Sequence, residues 1–187
     1  MRRVLMPLLA VAVWAMPASA DQPLLRPRHD VDVTYRAVAQ GGRELQQRVR
    51  WLAAAQTMRI DPPSPGLHVI IDYVARRMSV VRDATRSVVE MAAPDNPAGM
   101  ADGGKPASGF VRAGEATVAG QACTEWQTQD REARPVLVCI TADGVLLRVA
   151  ASGQVRVSAV SVRYGPQDPA EFRIPADYAH HMPGGPR

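Results

Sequence analysis

Hydrophobic and polar residues alternate with a period of two along most of this chain, the pattern of half-buried strands. In HDVDVTYRAVA, Val31, Val33 and Tyr35 point one way while Asp32, Thr34 and Arg36 point the other. Gly41-Gly42 supplies a turn, after which Leu45, Val49 and Trp51 alternate with Glu44, Arg48 and Arg50. Met58 and Ile60 mark a short strand that the breaker cluster DPPSPG ends. Then HVIIDY, MSVVRD and SVVEM follow one another across short turns, which is how a β-meander is written. The β-branched residues Val69, Ile70, Ile71, Val80, Val81, Val88 and Val89 favour strands over helices here.

A second series of runs reads GEATVAG, CTEWQTQ, PVLVCIT, VLLRVAAS and VRVSAVSVRYG, with hairpin signals at Asp143-Gly144 and around Ser152-Gly153. In the last run, Val155, Val157, Ala159, Ser161 and Arg163 fall on one face, and Val160, Val162 and Tyr164 on the other. Helix is scarce; Pro169 to Phe172 can start a single turn. The expected fold is therefore mainly β, an antiparallel meander forming a strongly curved sheet or open barrel, with a β-sandwich as the alternative.

Three segments break the pattern. Residues 1–20 carry Arg2 and Arg3, an apolar stretch from Val4 to Met16, and Ala18-Ser19-Ala20, the layout of a signal peptide cleaved after Ala20. The stretch is short for a membrane span, so no transmembrane anchor is expected in the mature protein. Residues 92–109 are rich in Pro, Gly and Ala, a surface loop that serves as a linker or a lid. Near the C-terminus Phe172 and Ile174 should dock, with residues 179–187 fraying. Residues 21–187 are expected to make one domain in the periplasm.

The formal charge of +4 falls to +2 without Arg2 and Arg3. That excess is too small to displace counterions along a nucleic acid, so no nucleic-acid partner is expected. Cys123 and Cys139 are not a CxxC pair, and no histidine pattern completes a zinc site. In an oxidising compartment a disulfide is expected. A hairpin symmetric about Arg131 would set Cys123 opposite or almost opposite Cys139, with Trp126 near Val136 on the other face.

Other candidate chemistry is thin. His29 precedes Asp30 and Asp32, either an acid–base cluster or an exposed strand end. His180 and His181, adjacent near the tail, would face opposite ways if extended and so chelate poorly. Asp61, Asp72, Asp83 and Glu90 fall at strand ends and turns. The sequence has no GxSxG elbow, HExxH pair or phosphate loop, so neither catalytic residues nor a cofactor are assigned. Met58, Met78, Met91 and Met100 suit either a core or an adaptable apolar pocket.

The stretch TMRID…GLHVIIDYVARRMSVVRDATRSVVEM and the ending Phe172-Arg173-Ile174-Pro175-Ala176-Asp177-Tyr178 resemble a family of exported bacterial domains of unknown function. More distantly, the region is similar to the periplasmic lipoprotein-carrier and outer-membrane lipoprotein-receptor (LolA/LolB-like) fold. That resemblance implies an unclosed barrel with an apolar cavity, and a lipid or lipoprotein acyl chain as its cargo.

The pattern and the resemblance together lead to a periplasmic binding or carrier-like protein for an apolar or amphipathic ligand. Its concave face would be lined by Trp51, Met58, Ile60, Val69, Ile71, Met78 and Val80. An envelope interaction or structural module without a small ligand is the alternative; a hydrolase ranks last.

Overall fold

The computed structural model describes residues 22–38, 41–94, 109–130 and 132–181. The expected signal peptide, most of the 92–109 loop and residues 182–187 of the expected frayed tail lie outside them. Among the described residues, twelve strands form one open sheet. The first six are β1 (Val31–Val38), β2 (Glu44–Leu52), β3 (Thr57–Asp61), β4 (Leu67–Asp72), β5 (Arg77–Arg82) and β6 (Ser87–Ala92). The others are β7 (Val111–Val118), β8 (Gln121–Gln129), β9 (Pro135–Ile140), β10 (Leu146–Ala151), β11 (Gln154–Tyr164) and β12 (Ala179–His181). The protein is mainly β, strongly curved and not closed into a barrel; the sandwich alternative is not adopted.

The spatial order is β12-β6-β5-β4-β3-β2-β1-β11-β10-β9-β8-β7. Both meanders are present, β2 to β6 and β7 to β11, and β1 lies between them. It pairs antiparallel with β2 on one side and with β11 on the other. β12 is the exception in direction, running parallel to β6. Thus Ala179–His181 do not fray, and His180 Nδ1 lies 3.0 Å from Glu90 Oε1. The expected single turn at Pro169–Phe172 is a 3₁₀ helix, N-capped by Asp168, and Phe172 is buried as the sequence suggested.

Bulges correct the face assignment in β11. Thr34 pairs with Ser161 but Tyr35 with Ala159, leaving Val160 as an extra residue. The alternation reverses there, so Val157, Ala159 and Val162 pack against the same core while Val160 is turned to solvent. A second bulge in β10, at Leu147, likewise seats that side chain in the main core with no exposure.

Aspartates next to and within β1 fasten it to both neighbours. Asp32 is buried, accepting two bonds from Arg48 of β2 at 2.9 and 2.8 Å and one from Arg163 of β11 at 2.8 Å. Asp30 accepts the backbone N–H groups of Ala53, after β2, and Gln167, after β11, at 2.7 and 3.0 Å. On the same face as Asp32, Arg50 and Arg59 converge on Asp61, and both reach Glu171 of the 3₁₀ helix. Burial alone would raise the Asp61 carboxyl, but the Arg50 and Arg59 bonds hold it below its ordinary range.

The Arg48 bonds, opposed by burial and assisted by Arg163, hold Asp32 below the ordinary carboxylate range. The stability Asp32 contributes is therefore complete above about pH 4 and lost as the pH falls through its lowered folded value. Asp32→Asn should remove on the order of 2 kcal/mol at neutral pH and flatten the acid limb of a urea-midpoint profile. An acid limb as steep as that of the parent protein would show that Asp32 is not its source.

Cys123 and Cys139 form a disulfide, Cα–Cα 5.5 Å. The hairpin register differs from the expected one by two residues: Glu125, not Cys123, pairs with Cys139, and Trp126 pairs with Val138 rather than Val136. The cause is the turn, where Asp130 accepts from the backbone N–H groups of Glu132 and Arg134 and moves the symmetry point beyond Arg131. The cysteines are thus diagonal neighbours across the ladder. Closing this loop, with its sequence separation of 16, stabilises the fold by about 3 kcal/mol in the chain-entropy model. Cys139→Ser should lower the melting midpoint by roughly 6–12 °C, and reductant should reproduce the loss in the parent protein. Titration of two free thiols in the unreduced native protein would refute the bond.

Candidate functional site: an apolar cleft on one sheet face

The register gathers all seven residues expected on the concave face onto one side of the sheet. Trp51 pairs with Met58, Met58 with Ile71, and Ile71 with Met78, a ladder across four strands. A parallel ladder runs Ile60–Val69–Val80. Trp51, Met58, Ile60 and Ile71 are buried, whereas Val69, Met78 and Val80 are partly buried. The ladders continue through Met91 and Val89 of β6. In the other direction Val31, Val33 and Tyr35 of β1 carry the apolar face towards β11, where Val157 packs against both this core and a second one around Trp126, Val138 and Val149.

A cavity of about 160 Å³ opens on this face. Trp51, Met58 and Ile60 line it; Val69, Ile71, Met78 and Val80 share the face but lie outside its lining. The remaining wall comes from β1 (Val31, Val33, Tyr35), β2 (Gln47, Val49), Val157, the β9–β10 turn (Gly144, Val145), Leu146 at the start of β10, and Pro27. The β1 residues were visible as an alternating run. Their place at the centre of the site was not, because it depends on pairing with β11, some 130 residues further along the chain. Tyr35, one of the polar residues in the wall, donates its hydroxyl to the Leu146 carbonyl at 2.6 Å, and burial pushes its phenol well above the ordinary value.

Trp51, which lines the cleft, stacks at a tilt on Tyr73, which lies outside the lining, ring centroids 5.7 Å apart. Burial, partly offset by Arg26, pushes the Tyr73 phenol up to about 12. Neither Trp51 Nε1 nor the Tyr73 hydroxyl has a hydrogen-bond partner. The Arg26 guanidinium sits 4.7 Å from the Tyr73 ring centroid and donates to Gln56 Oε1 at 3.1 Å.

Arg26 and Pro27 belong to the segment before β1, which runs as a strap along the cleft. It is tied by Gln22 to the Phe110 carbonyl, by the Arg28 N–H to the Asp143 carbonyl, and by His29 Nδ1 to Asp143 Oδ1 at 2.6 Å. His29 therefore partners Asp143, while Asp30 and Asp32 serve the strand pairing, so the three do not form an acid–base cluster. Leu25 packs on the second core. Gly144 lets the strap pass: at φ +93° it takes a left-handed conformation, and a Cβ there would stand 2.3 Å from the Arg26 carbonyl oxygen. Gly144→Ala should dislodge the strap. The expected readout is faster hydrogen exchange at the Arg28 amide and a loss of about 1–3 kcal/mol; unaltered protection at Arg28 would show that the strap is not seated this way.

The other sequence candidates lie elsewhere. His68 is buried on the opposite face with Nε2 unpartnered, and burial holds its pKa below the ordinary value. Asp72 caps its turn by accepting from Val74 and Ala75, and Asp83 accepts from the Tyr178 hydroxyl. Among the described residues no group of three or more His, Cys, Asp or Glu side chains is placed to hold a metal.

No protein-family model matches the sequence, and comparison with curated proteins finds no significant relative. Solved structures do share the fold. An uncharacterized conserved protein from Thermus thermophilus is 17% identical with a TM-score of 0.58, over 83% of this chain and 91% of that one. A chain of the MucA/MucB complex of Pseudomonas aeruginosa is 14% identical with a TM-score of 0.54, over 81% of this chain. PNGF-II is 11% identical with a TM-score of 0.52, over 82% of this chain. This chain spans 58% of the matched chain in the MucA/MucB complex and 31% of PNGF-II. At such identities the likeness is one of fold. The resemblance drawn from the sequence is met only as a shared fold, and the family of exported domains is not confirmed.

Proposed function

We propose that this protein is an exported, periplasmic, non-catalytic binding protein that takes up the apolar part of a lipid or of a lipoprotein acyl chain on its inner sheet face. The observation that supports this reading is the cleft between the strap and β1–β2, continuous with a wider apolar face of Trp51, Met58, Ile60, Val69, Ile71, Met78 and Val80. A cavity of about 160 Å³ is close to the roughly 150 Å³ that holds a benzene-sized group in a protein interior. It is small beside the roughly 300–1,000 Å³ of a pocket for a drug-sized ligand. At this volume the cleft takes one short alkyl segment, and a longer chain needs the strap to lift. The signal-peptide pattern and the disulfide support the compartment.

A second reading, in which the inner face receives a partner protein, is favoured by the fold shared with a chain of the MucA/MucB complex. Native mass spectrometry of protein purified from the periplasm, together with titration of a hydrophobic dye, separates the two. The carrier reading expects bound lipid or dye that Val49→Phe expels by filling the cleft, with the melting midpoint preserved. A protein that carries no lipid and binds no dye would refute it.

A further inference from the structure

The two unpartnered polar atoms beside the cleft point to the chemistry of its occupant. Trp51 is 2% exposed and Tyr73 7% exposed, yet neither Trp51 Nε1 nor the Tyr73 hydroxyl has a hydrogen-bond partner. An indole N–H can only donate, and buried donors in native structures almost always find an acceptor. Trp51 lines the cleft, and the Tyr73 ring, outside the lining, is stacked on it. A cation stands over the Tyr73 ring: the Arg26 guanidinium, which spends one N–H on Gln56 and keeps others in hand. Along the rest of the cleft the wall is apolar, through Val31, Val33, Val49, Met58 and Ile60, until Gln47 and the already-committed Tyr35 hydroxyl. The mostly apolar cleft is therefore joined, through Trp51, to a donor-rich, positively charged group next to it.

Resting on the reading of the cleft as a ligand site, we infer that its occupant is a single-chain amphiphile with a carboxylate head. The chain lies over Val33, Val49 and Ile60, and the carboxylate oxygens accept from Trp51 Nε1 and the Tyr73 hydroxyl beneath Arg26. A carboxylate offers acceptors only, matching a site that offers donors. Because both donors are sealed from solvent, the head enters as the strap shifts Arg26 off the Tyr73 ring.

The test titrates purified ¹⁵N-labelled protein with dodecanoate and, separately, with dodecanol, which shares the chain and lacks the anionic head. The indole N–H resonance of Trp51 is identified by its loss in Trp51→Phe, with Trp126 as the internal reference. Dodecanoate should shift the Trp51 resonance and bind at least about tenfold more tightly than dodecanol, the margin of one charge-assisted hydrogen bond. In Trp51→Phe and in Tyr73→Phe the ratio of the two affinities should fall towards one. Equal affinities in the parent protein, or a ratio untouched by both Phe variants, would overturn the carboxylate head while leaving an apolar cleft intact. If neither amphiphile binds, the cleft is not a ligand site and both readings fall.

Discussion

Two aspartates decide where the first strand lies. Asp30 and Asp32 each hold a group from the β2 side and a group from the β11 side, so β1 is clasped from both flanks at once. Without that seam the chain would have two independent meanders, each with an exposed edge. With it, one sheet runs from β12 to β7 and one apolar face crosses the join. Asp32 shows how a buried charge is kept ionised: it is paired on both sides by guanidinium groups that themselves remain partly in water. The desolvation cost falls mainly on the carboxylate, and three charge-assisted hydrogen bonds offset it.

The seam also makes the cleft. Its floor is β1 and β2, its far wall is Val157 of β11, and its roof includes the β9–β10 turn and Pro27. Neither meander could build it alone. The strap is fixed at one end by Asp143 and at the other by Phe110, and its most intimate contact depends on a glycine. Polar attachments of this kind, largely exposed, are the class of contact that yields first when a structure opens locally. The cleft is therefore bounded on one side by strand pairing and on the other by a segment held through a few polar contacts.

What the sequence disclosed follows from which interactions are local. Alternation is local, so the strands, the two meanders and the shared face of Trp51, Met58, Ile60 and Ile71 could be read residue by residue. Register across short turns is nearly local, yet the Cys123–Cys139 hairpin differed by two residues because Asp130 reorganised its turn. Bulges are set by the neighbouring strand, so the extra Val160 in β11 could not be seen in its own alternating run. The least legible parts were those joined over the longest separations: β1 with β11, β12 along β6, and His29 with Asp143. Tyr73 closed a strand-like hexapeptide with no hint that its hydroxyl would be buried beside an indole.

The topology has a temporal consequence. β1 is the first of the twelve strands to be made, but one of its two flanks pairs with β11, which arrives near the end. Loop-closure entropy must be met before those contacts contribute, so the central strand of the sheet is among the last to be secured. Until then the inner face, with its methionines and its tryptophan, belongs to an unfinished sheet whose edges are open. A chain built in this order stays incomplete until nearly all of it is present, and only then acquires both its centre and its cleft.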